Sequence, residues 1–286
     1  MWVWLANLPR HWRWSAKALL FLMTLGAVLY PHPVYLTRQL RHLSDTEALI
    51  QPHLPFIAEL NQQIDATLPA GAPPGQVFRA VERFVYQAVP YAYDWEVWSN
   101  VDYWPTAAEV WEKRREDCDG RAVLCASLLR ARGFEHVRIV GNIHHVWVEA
   151  EGKGLMGAEK DQNFRREGGR LVVTPPRAET LLKGLSHVIH FPAWRLGVLV
   201  VVAVALAWHP GRDWRGLALG VISGLAGLTS LYGWAAWSER GQVGHELLGL
   251  SVALLIAGGA LAKYYPRWIA RRRETQQPSA LSVAEA

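Results

Sequence analysis

Cys118 stands where a helix is expected to begin, and this position suits a nucleophile. Asp117, directly before it, is of a residue type that caps helices through its side-chain oxygen. Gly133 can adopt the left-handed conformation that ends a helix. The residues between them are mostly apolar, so the predicted helix is largely buried. A thiol at such an N-terminus lies near unpaired backbone N–H groups and the positive end of the helix dipole, which favour the thiolate.

The charges beside Cys118 oppose this effect. Asp117 and Asp119 flank the cysteine, and carboxylates disfavour a neighbouring anion. A nucleophilic cysteine here therefore needs a nearby imidazole. His145 is the predicted partner, because it begins the second of two short predicted strands (137–141 and 143–151) and can meet the helix N-terminus across the core.

Other polar residues near His145 leave alternatives open. His144 must point away from His145 on an extended strand, so we interpret it as a bystander. A zinc site built from Cys118 and the two histidines lacks the paired ligand spacing of such sites, and no metal ligand is predicted. If the following turn has three residues, Glu159 and Asp161 both fall on the face of His145, and either carboxylate can orient the ring.

The order of predicted elements indicates an α+β domain over residues 37–190. Helices are predicted from Ser44, over 56–68 and 75–88, and from Thr106, where Glu109 completes a capping box. Short strands follow, which is typical of helices packed on a small antiparallel sheet. The aromatic loop 91–105 belongs either to the core or to the wall of a substrate groove; on the second interpretation Trp95 and Trp104 bind substrate.

Four apolar segments are long enough for membrane helices: 15–36, 193–208, 216–237 and 247–265. The first resembles a signal peptide because Arg10, Arg13 and Lys17 precede it. No clear small-x-small cleavage site follows, so an uncleaved anchor is favoured. The predicted organisation is a first helix within 1–36, the α+β domain at 37–190, three membrane helices within 191–265, and a basic, then disordered, tail at 266–286.

The chain carries a formal net charge of +5. Its basic residues flank the apolar segments instead of lining one periodic face, which indicates membrane topology and argues against nucleic-acid binding. By the positive-inside rule, both termini are predicted to be cytoplasmic and the α+β domain extracytoplasmic. The predicted location is the cell (inner) membrane, crossed several times, with the domain in the periplasm.

Gly216, Gly220 and Gly224 form a seam of small residues on the third apolar segment. Such seams allow helices to approach closely in lipid. We favour packing within the chain, and a homo-oligomer joined through this face is the alternative.

Taken in order, these motifs resemble the transglutaminase-like superfamily, which is related in architecture to papain-type cysteine proteases. The resemblance covers about residues 91–161. It rests on Asp117-Cys118-Asp119-Gly120, on His145-Val146-Trp147, and on the stretches around Tyr93-Asp94-Trp95 and Tyr103-Trp104-Pro105. The chain departs from the family pattern at Asp161, which is followed by glutamine where proline is usual.

The resemblance implies a transglutaminase-like fold and a cofactor-free cysteine enzyme acting on a protein or peptide. Cys118 would attack an amide or ester carbonyl, His145 would protonate the leaving amine, and Asp161 would orient the imidazole. The backbone N–H of Cys118 would stabilise the oxyanion. Hydrolysis is slightly favoured over transfer. The alternative is an inactive binding module that scaffolds or regulates a membrane or cell-envelope assembly.

Overall fold

The computed structural model describes residues 7–167, 170–208, 214–241 and 245–276. It divides into two compact units. One is Tyr30–Leu185, and the other combines the residues before Tyr30 with those from Ser186 onward. The first residues of the chain (1–6) and the end of the predicted tail (277–286) lie outside the described residues.

The helices and strands have the following bounds. The α-helices are α1 (Arg10–Leu29), α2 (Pro33–Ser44), α3 (Pro55–Asp65), α4 (Pro74–Ala88), α5 (Asp94–Val97), α6 (Ala107–Lys113), α7 (Cys118–Ala131), α8 (Ala178–Ser186), α9 (Ala193–Ala207), α10 (Trp214–Glu239) and α11 (His245–Gln276). Thr46–Leu49 and His187–His190 are 3₁₀ turns. The strands are β1 (Val137–Gly141), β2 (Val146–Ala150), β3 (Lys153–Leu155), β4 (Phe164–Glu167) and β5 (Arg170–Val173).

The strands form one antiparallel sheet in the order β3-β2-β1-β4-β5. In the central pair, Val137 lies opposite Ala150 and Gly141 lies opposite Val146. Gly141 has no room for a side chain, since a Cβ atom there would lie 2.4 Å from the Phe164 ring. The α+β class and the small antiparallel sheet are as predicted.

Helix α7 is the central helix of the domain, and its sequence explains both of its ends. The Asp117 side chain accepts a hydrogen bond from the Asp119 N–H at 3.2 Å, as expected of an N-cap. After the last turn, Gly133 takes a φ of +84°, which favours glycine. All residues from Ala122 to Leu129 are buried, so the helix passes through the core. Cys118 is thereby fixed at the N-terminus of a rigid element.

Two predicted boundaries are wrong for identifiable reasons. The strand predicted over 143–151 begins only at Val146, because the Asn142 side chain accepts hydrogen bonds from the backbone N–H groups of His144 and His145. The helix predicted from Ser44 is replaced by the end of α2 and the 3₁₀ turn. The predicted capping box from Thr106 to Glu109 is confirmed.

The first apolar segment is also divided. It was predicted to continue to residue 36, but α1 ends at Leu29 and α2 begins at Pro33. Pro31 and Pro33 explain the break, because proline has no backbone N–H and disrupts a helix interior.

Two of the described helical segments are long and apolar enough to cross a membrane, Trp214–Glu239 and Glu246–Tyr265. The number rises to four if α1 with α2, and the α8 region with α9, are each counted as one broken span. Length and composition therefore indicate a membrane protein.

The glycine seam lies inside the helical unit. A Cβ atom on Gly220 would lie 2.7 Å from the carbonyl oxygen of Gly258 on α11, and one on Gly224 would lie 2.6 Å from Val200 on α9. Gly216 faces Leu261 and Tyr265 in the same way. Helices of the same chain thus pack against the face that was considered for a homo-oligomer.

Candidate functional site

Cys118 lies at the point where helix α7 meets the start of strand β2. Helix α7 packs on strand β2, and the half-buried Cys118 thiol lies close enough to the backbone N–H groups of Val146 and of Cys118 itself for both to oppose the rise in its pKa. Val146 directly follows His145. The fold therefore brings the predicted nucleophile to the backbone beside the predicted base.

The surroundings keep the sulfur protonated at rest. Burial raises the pKa of the Cys118 thiol well above its ordinary value, and the negative charge of Asp117 adds to this. The two backbone N–H groups act in the opposite direction but are outweighed. Thiolate chemistry here requires a base that removes the proton during attack.

His145 is held in one tautomer by a backbone carbonyl. Its Nε2 lies 3.0 Å from the carbonyl oxygen of Met156. A carbonyl only accepts hydrogen bonds, so Nε2 carries the proton and Nδ1 has the free lone pair of the neutral ring. The ring also stacks at 6.0 Å on Trp147, two residues further along. The imidazole is thus fixed with Nδ1 as its basic atom.

The loop before β2 is built around Asn142. Its side-chain oxygen accepts from the N–H groups of His144 at 3.1 Å and His145 at 2.9 Å. Its side-chain nitrogen donates to Glu159 at 2.8 Å and to the Asp161 carbonyl at 3.1 Å. One amide therefore ties the histidine loop to the segment after β3.

Glu159 pairs with the neighbouring histidine. Its Oε2 lies 3.1 Å from Nε2 of His144, whose side chain is 3% exposed. Burial raises the pKa of Glu159, but hydrogen bonds from Lys183 and Asn142 outweigh it and lower the pKa to about 2. Because the loop turns at Asn142, Glu159 lies with His144 and not with His145.

The Asp161 side chain binds the start of helix α8. Its carboxylate accepts from the Arg177 N–H at 3.3 Å and from the Thr180 hydroxyl. These bonds, the Thr180 contact first, lower the pKa of Asp161. The structure places the predicted orienting carboxylate at a helix N-terminus, while the position on His145 Nε2 is taken by Met156.

Carboxyl groups crowd the other side of Cys118. Asp94, Glu116, Asp117 and Asp119 each offer an oxygen within 4.8 Å of the others. One oxygen each of Asp94 and Asp119 is buried without a hydrogen-bond partner among the described residues. Burial raises the pKa of all four groups, and the neighbouring negative charges raise it further for Asp94, Asp119 and Glu116, that of Glu116 to about 8. Four carboxyl groups this close together cannot all be ionised, so some of them keep a proton. Carboxylate oxygens are also the ligands that a hard divalent cation prefers.

The glycine of the Asp-Cys-Asp-Gly motif has a packing role in this cluster. A Cβ atom on Gly120 would lie 2.6 Å from Cγ of Glu116, which is fully buried. The sequence pointed to Asp117 and Asp119 through their position beside the cysteine. Glu116 and Asp94 gave no comparable signal.

An aromatic row extends from the cysteine. Tyr91, whose phenol pKa is raised by burial and by the charges of Asp117 and Cys118, contacts Tyr93 edge-on at 5.2 Å between ring centroids. Tyr93 in turn stacks on Trp95 at 4.4 Å. Trp95 is half-buried, and the part of its ring that remains exposed could contact a substrate.

Trp104 has a different place. It is 6% exposed, belongs to the hydrophobic core and contacts the Phe164 ring at 5.5 Å. Its backbone is fixed by Gln39 and His42. The prediction that Trp104 binds substrate is therefore replaced by a core role, because its indole packs in the core against Phe164 of strand β4.

Two site residues have no counterpart in the sequence prediction. Arg121 lies three residues after Cys118, one turn along α7, and its guanidinium is 5.0 Å from the Tyr91 ring and 5.2 Å from the Tyr86 ring. Helical spacing was a usable signal for it. Met156 contributes through its backbone carbonyl, which leaves no mark in a sequence.

Comparison of the chain with protein-family models, with curated proteins and with solved structures gives no match.

Proposed function

We propose that the chain is a membrane-anchored cysteine enzyme that cleaves or transfers at amide bonds of a protein or peptide. The observation that carries this is that the Cys118 thiol, at the N-terminus of α7, lies near the backbone of Val146, the residue that follows a histidine whose Nε2 is held by a carbonyl. The site supports a neutral thiol activated by a neutral imidazole. The α+β layout agrees with the transglutaminase-like resemblance, and the domain is taken to face outward from an inner membrane.

The proposed reaction proceeds in two halves. Nδ1 of His145 removes the thiol proton as sulfur attacks the substrate carbonyl carbon, and the carbonyl electron pair moves to oxygen. Backbone N–H groups at the start of α7 stabilise this oxyanion. The C–N bond then breaks, the amine leaves with the proton from His145, and a thioester remains on Cys118. Water or a second amine attacks the thioester with His145 again accepting a proton, and the thiol is restored.

The aromatic row gives this substrate a place to lie. Tyr91, Tyr93 and Trp95 present ring faces and edges beside the thiol, and such rings bury large apolar area against a partner. Arg121 adds a positive charge next to Tyr91. A peptide segment with apolar side chains and a nearby acidic group fits this surface.

A specific observation favours the second candidate, a binding module without catalysis. Burial and Asp117 both raise the pKa of Cys118, and the carboxylate predicted to support His145 is engaged at helix α8. On this alternative the aromatic row binds a peptide and the thiol is unreactive.

Iodoacetamide labelling of the full chain in detergent separates the two candidates. Cys125→Ser removes the other cysteine, so the label reports Cys118 alone. His145→Ala is expected to slow labelling about 100-fold, the lower range of a general-base contribution. His53→Ala, on an exposed loop, is the control and is expected to label like the parent. Slow labelling at one rate in all three proteins would favour the binding module.

A further inference from the structure

The residue that holds His145 has an unusual backbone conformation. Met156 has a φ of +64°, which only a few per cent of non-glycine residues adopt, and its side chain is buried at 3% exposure. It directly follows strand β3, which ends at Leu155. In this conformation its N–H and its C=O point to different elements of the domain.

The two backbone groups of Met156 link helix α4 to His145. Its N–H donates to Oε1 of Glu82 on α4 at 2.6 Å. Its C=O accepts from Nε2 of His145 at 3.0 Å. A hydrogen bond to a carboxylate is stronger than one to a neutral acceptor. Glu82 therefore holds Met156 in place, and the Met156 carbonyl in turn holds the His145 ring.

The next residue is adapted to the same contact. Gly157 has a φ of +78°, and a Cβ atom there would lie 3.2 Å from Nε2 and 3.8 Å from Cε1 of His145. A side chain at residue 157 would therefore press on the imidazole, and the ring would have to move to make room.

We propose that Glu82 is a positioning residue for His145, acting through the backbone of Met156. By holding the Met156 N–H, Glu82 keeps the carbonyl on Nε2, and this leaves Nδ1 as the basic atom for Cys118. The inference rests on the proposed function, and it assigns to Glu82 and a main-chain carbonyl the support that was predicted from Asp161. A neutral amide oxygen can fill this position, as it does in Cys-His-Asn sites.

Substitution of Glu82 tests the proposal with an internal rescue. Glu82→Leu removes the acceptor at similar size, whereas Glu82→Gln removes the charge and keeps an oxygen that accepts from Met156. In the Cys125→Ser background, iodoacetamide labelling of Cys118 is expected to slow about tenfold or more with leucine, since a misplaced base loses part of its contribution. Glutamine is expected to restore most of the rate.

Nitrogen NMR of ¹⁵N-histidine-labelled chain gives a readout that needs no reactivity. The His145 signals, assigned by their absence in His145→Gln, are expected to show the Nε2–H tautomer in the parent and in Glu82→Gln. Glu82→Leu is expected to show a mixture of tautomers. A fold that is merely weakened would leave the tautomer of the folded protein unchanged.

A glycine pair provides a second test if the leucine variant fails to fold. Gly157→Ala is expected to displace the ring and abolish the Nε2–H signature. Gly152→Ala is the matched control, because Gly152 also has a positive φ, +74°, but a Cβ atom there meets nothing within 4 Å. Gly152→Ala is expected to keep the signature.

The outcomes separate this inference from the proposed function. Parental tautomer and labelling rate in both Glu82→Leu and Gly157→Ala would overturn the positioning role. Labelling that is independent of His145, combined with tautomer changes in these variants, would overturn the enzyme and leave the positioning intact.

Discussion

The two cysteines of the chain show that a thiol's chemistry depends on its place and not on its type. Cys125 is fully buried in α7, and burial raises the pKa of its thiol. Cys118 has a raised pKa as well, but it is half-buried and lies near the backbone N–H of Val146, the residue that follows His145. Only the second arrangement offers a route for the proton to leave as the sulfur attacks.

Gly120→Ala is expected to destabilise the domain. The added methyl group would lie 2.6 Å from the fully buried side chain of Glu116, and overpacking of this kind costs about 1–3 kcal/mol. Urea unfolding of the full chain measures the loss. Gly75→Ala, at a helical glycine where a Cβ atom has ordinary contacts, is expected to be neutral or slightly stabilising. Equal stability of the two variants would contradict the packing role of Gly120.

The crowded carboxyl groups predict an unusual pH dependence of stability. In the folded chain the pKa of Asp102 is raised to about 6 and that of Glu116 to about 8, chiefly by burial and by Asp117. In the unfolded chain both groups lose their protons near pH 4. The folded state therefore binds more protons between these values, and the stabilisation present at low pH is lost as the pH rises toward 8.

Urea unfolding between pH 5 and pH 8 in the presence of a chelator measures this dependence. The free energy of unfolding is expected to fall across the window, and replacing Glu116 by glutamine is expected to flatten the fall near pH 8. A free energy of unfolding that rises with pH would show that the cluster is ionised and compensated in another way.

At the scale of secondary-structure elements, local signals were sufficient for α7. Its cap at Asp117, its apolar interior and its end at Gly133 are all properties of a few neighbouring residues. Predictions failed where a side chain competed with the sheet. The Asn142 side chain takes two N–H groups that an extended strand would have pointed elsewhere, and this changes which histidine meets Glu159.

The support of His145 could not be predicted for a related reason. It comes from the main chain of Met156, in a conformation that the identity of that residue does not indicate. Asp161 has a side chain of the right chemistry to orient an imidazole, but its carboxylate binds the start of helix α8.

Substitution of Asp161 tests whether this carboxylate or the Met156 carbonyl orients the His145 ring. Asp161→Ala removes the carboxylate that accepts hydrogen bonds at the start of α8, so the domain is expected to lose some stability. The labelling rate of Cys118 is expected to remain that of the parent, because the His145 ring is held by Met156. A large loss of labelling with unchanged stability would restore Asp161 as the orienting carboxylate.

At the scale of the whole molecule, the sequence was sufficient to distinguish the helical unit from the α+β unit. The length of the apolar segments and the charge of the loops extend over many residues, so they are readable without knowledge of individual contacts. The sequence alone could not tell whether the glycine seam packs within the chain or against a second copy. Small residues allow close approach of any helix, whichever chain it belongs to. The structure assigns the seam to contacts within the chain, where Gly220 and Gly258 lie against each other.

Gly220→Ile is expected to disrupt the helical unit. Its side chain would meet the Gly258 carbonyl, to which a Cβ atom already approaches within 2.7 Å. Thermal unfolding of the chain in detergent is expected to shift to lower temperature. Gly233→Ile on the same helix, where a Cβ atom meets nothing within 4 Å, is the control. Unchanged unfolding of Gly220→Ile would indicate that this face is open.

The proposed reaction requires Cys118 to carry an acyl group while His145 transfers the protons. The most direct measurement is mass spectrometry of the full chain quenched during turnover of a p-nitrophenyl ester of an acylated peptide. We expect a thioester on Cys118 that accumulates and decays in the parent, is absent in Cys118→Ala and forms far more slowly in His145→Ala. An ester consumed only at the background rate, with no acyl group on Cys118, would contradict it.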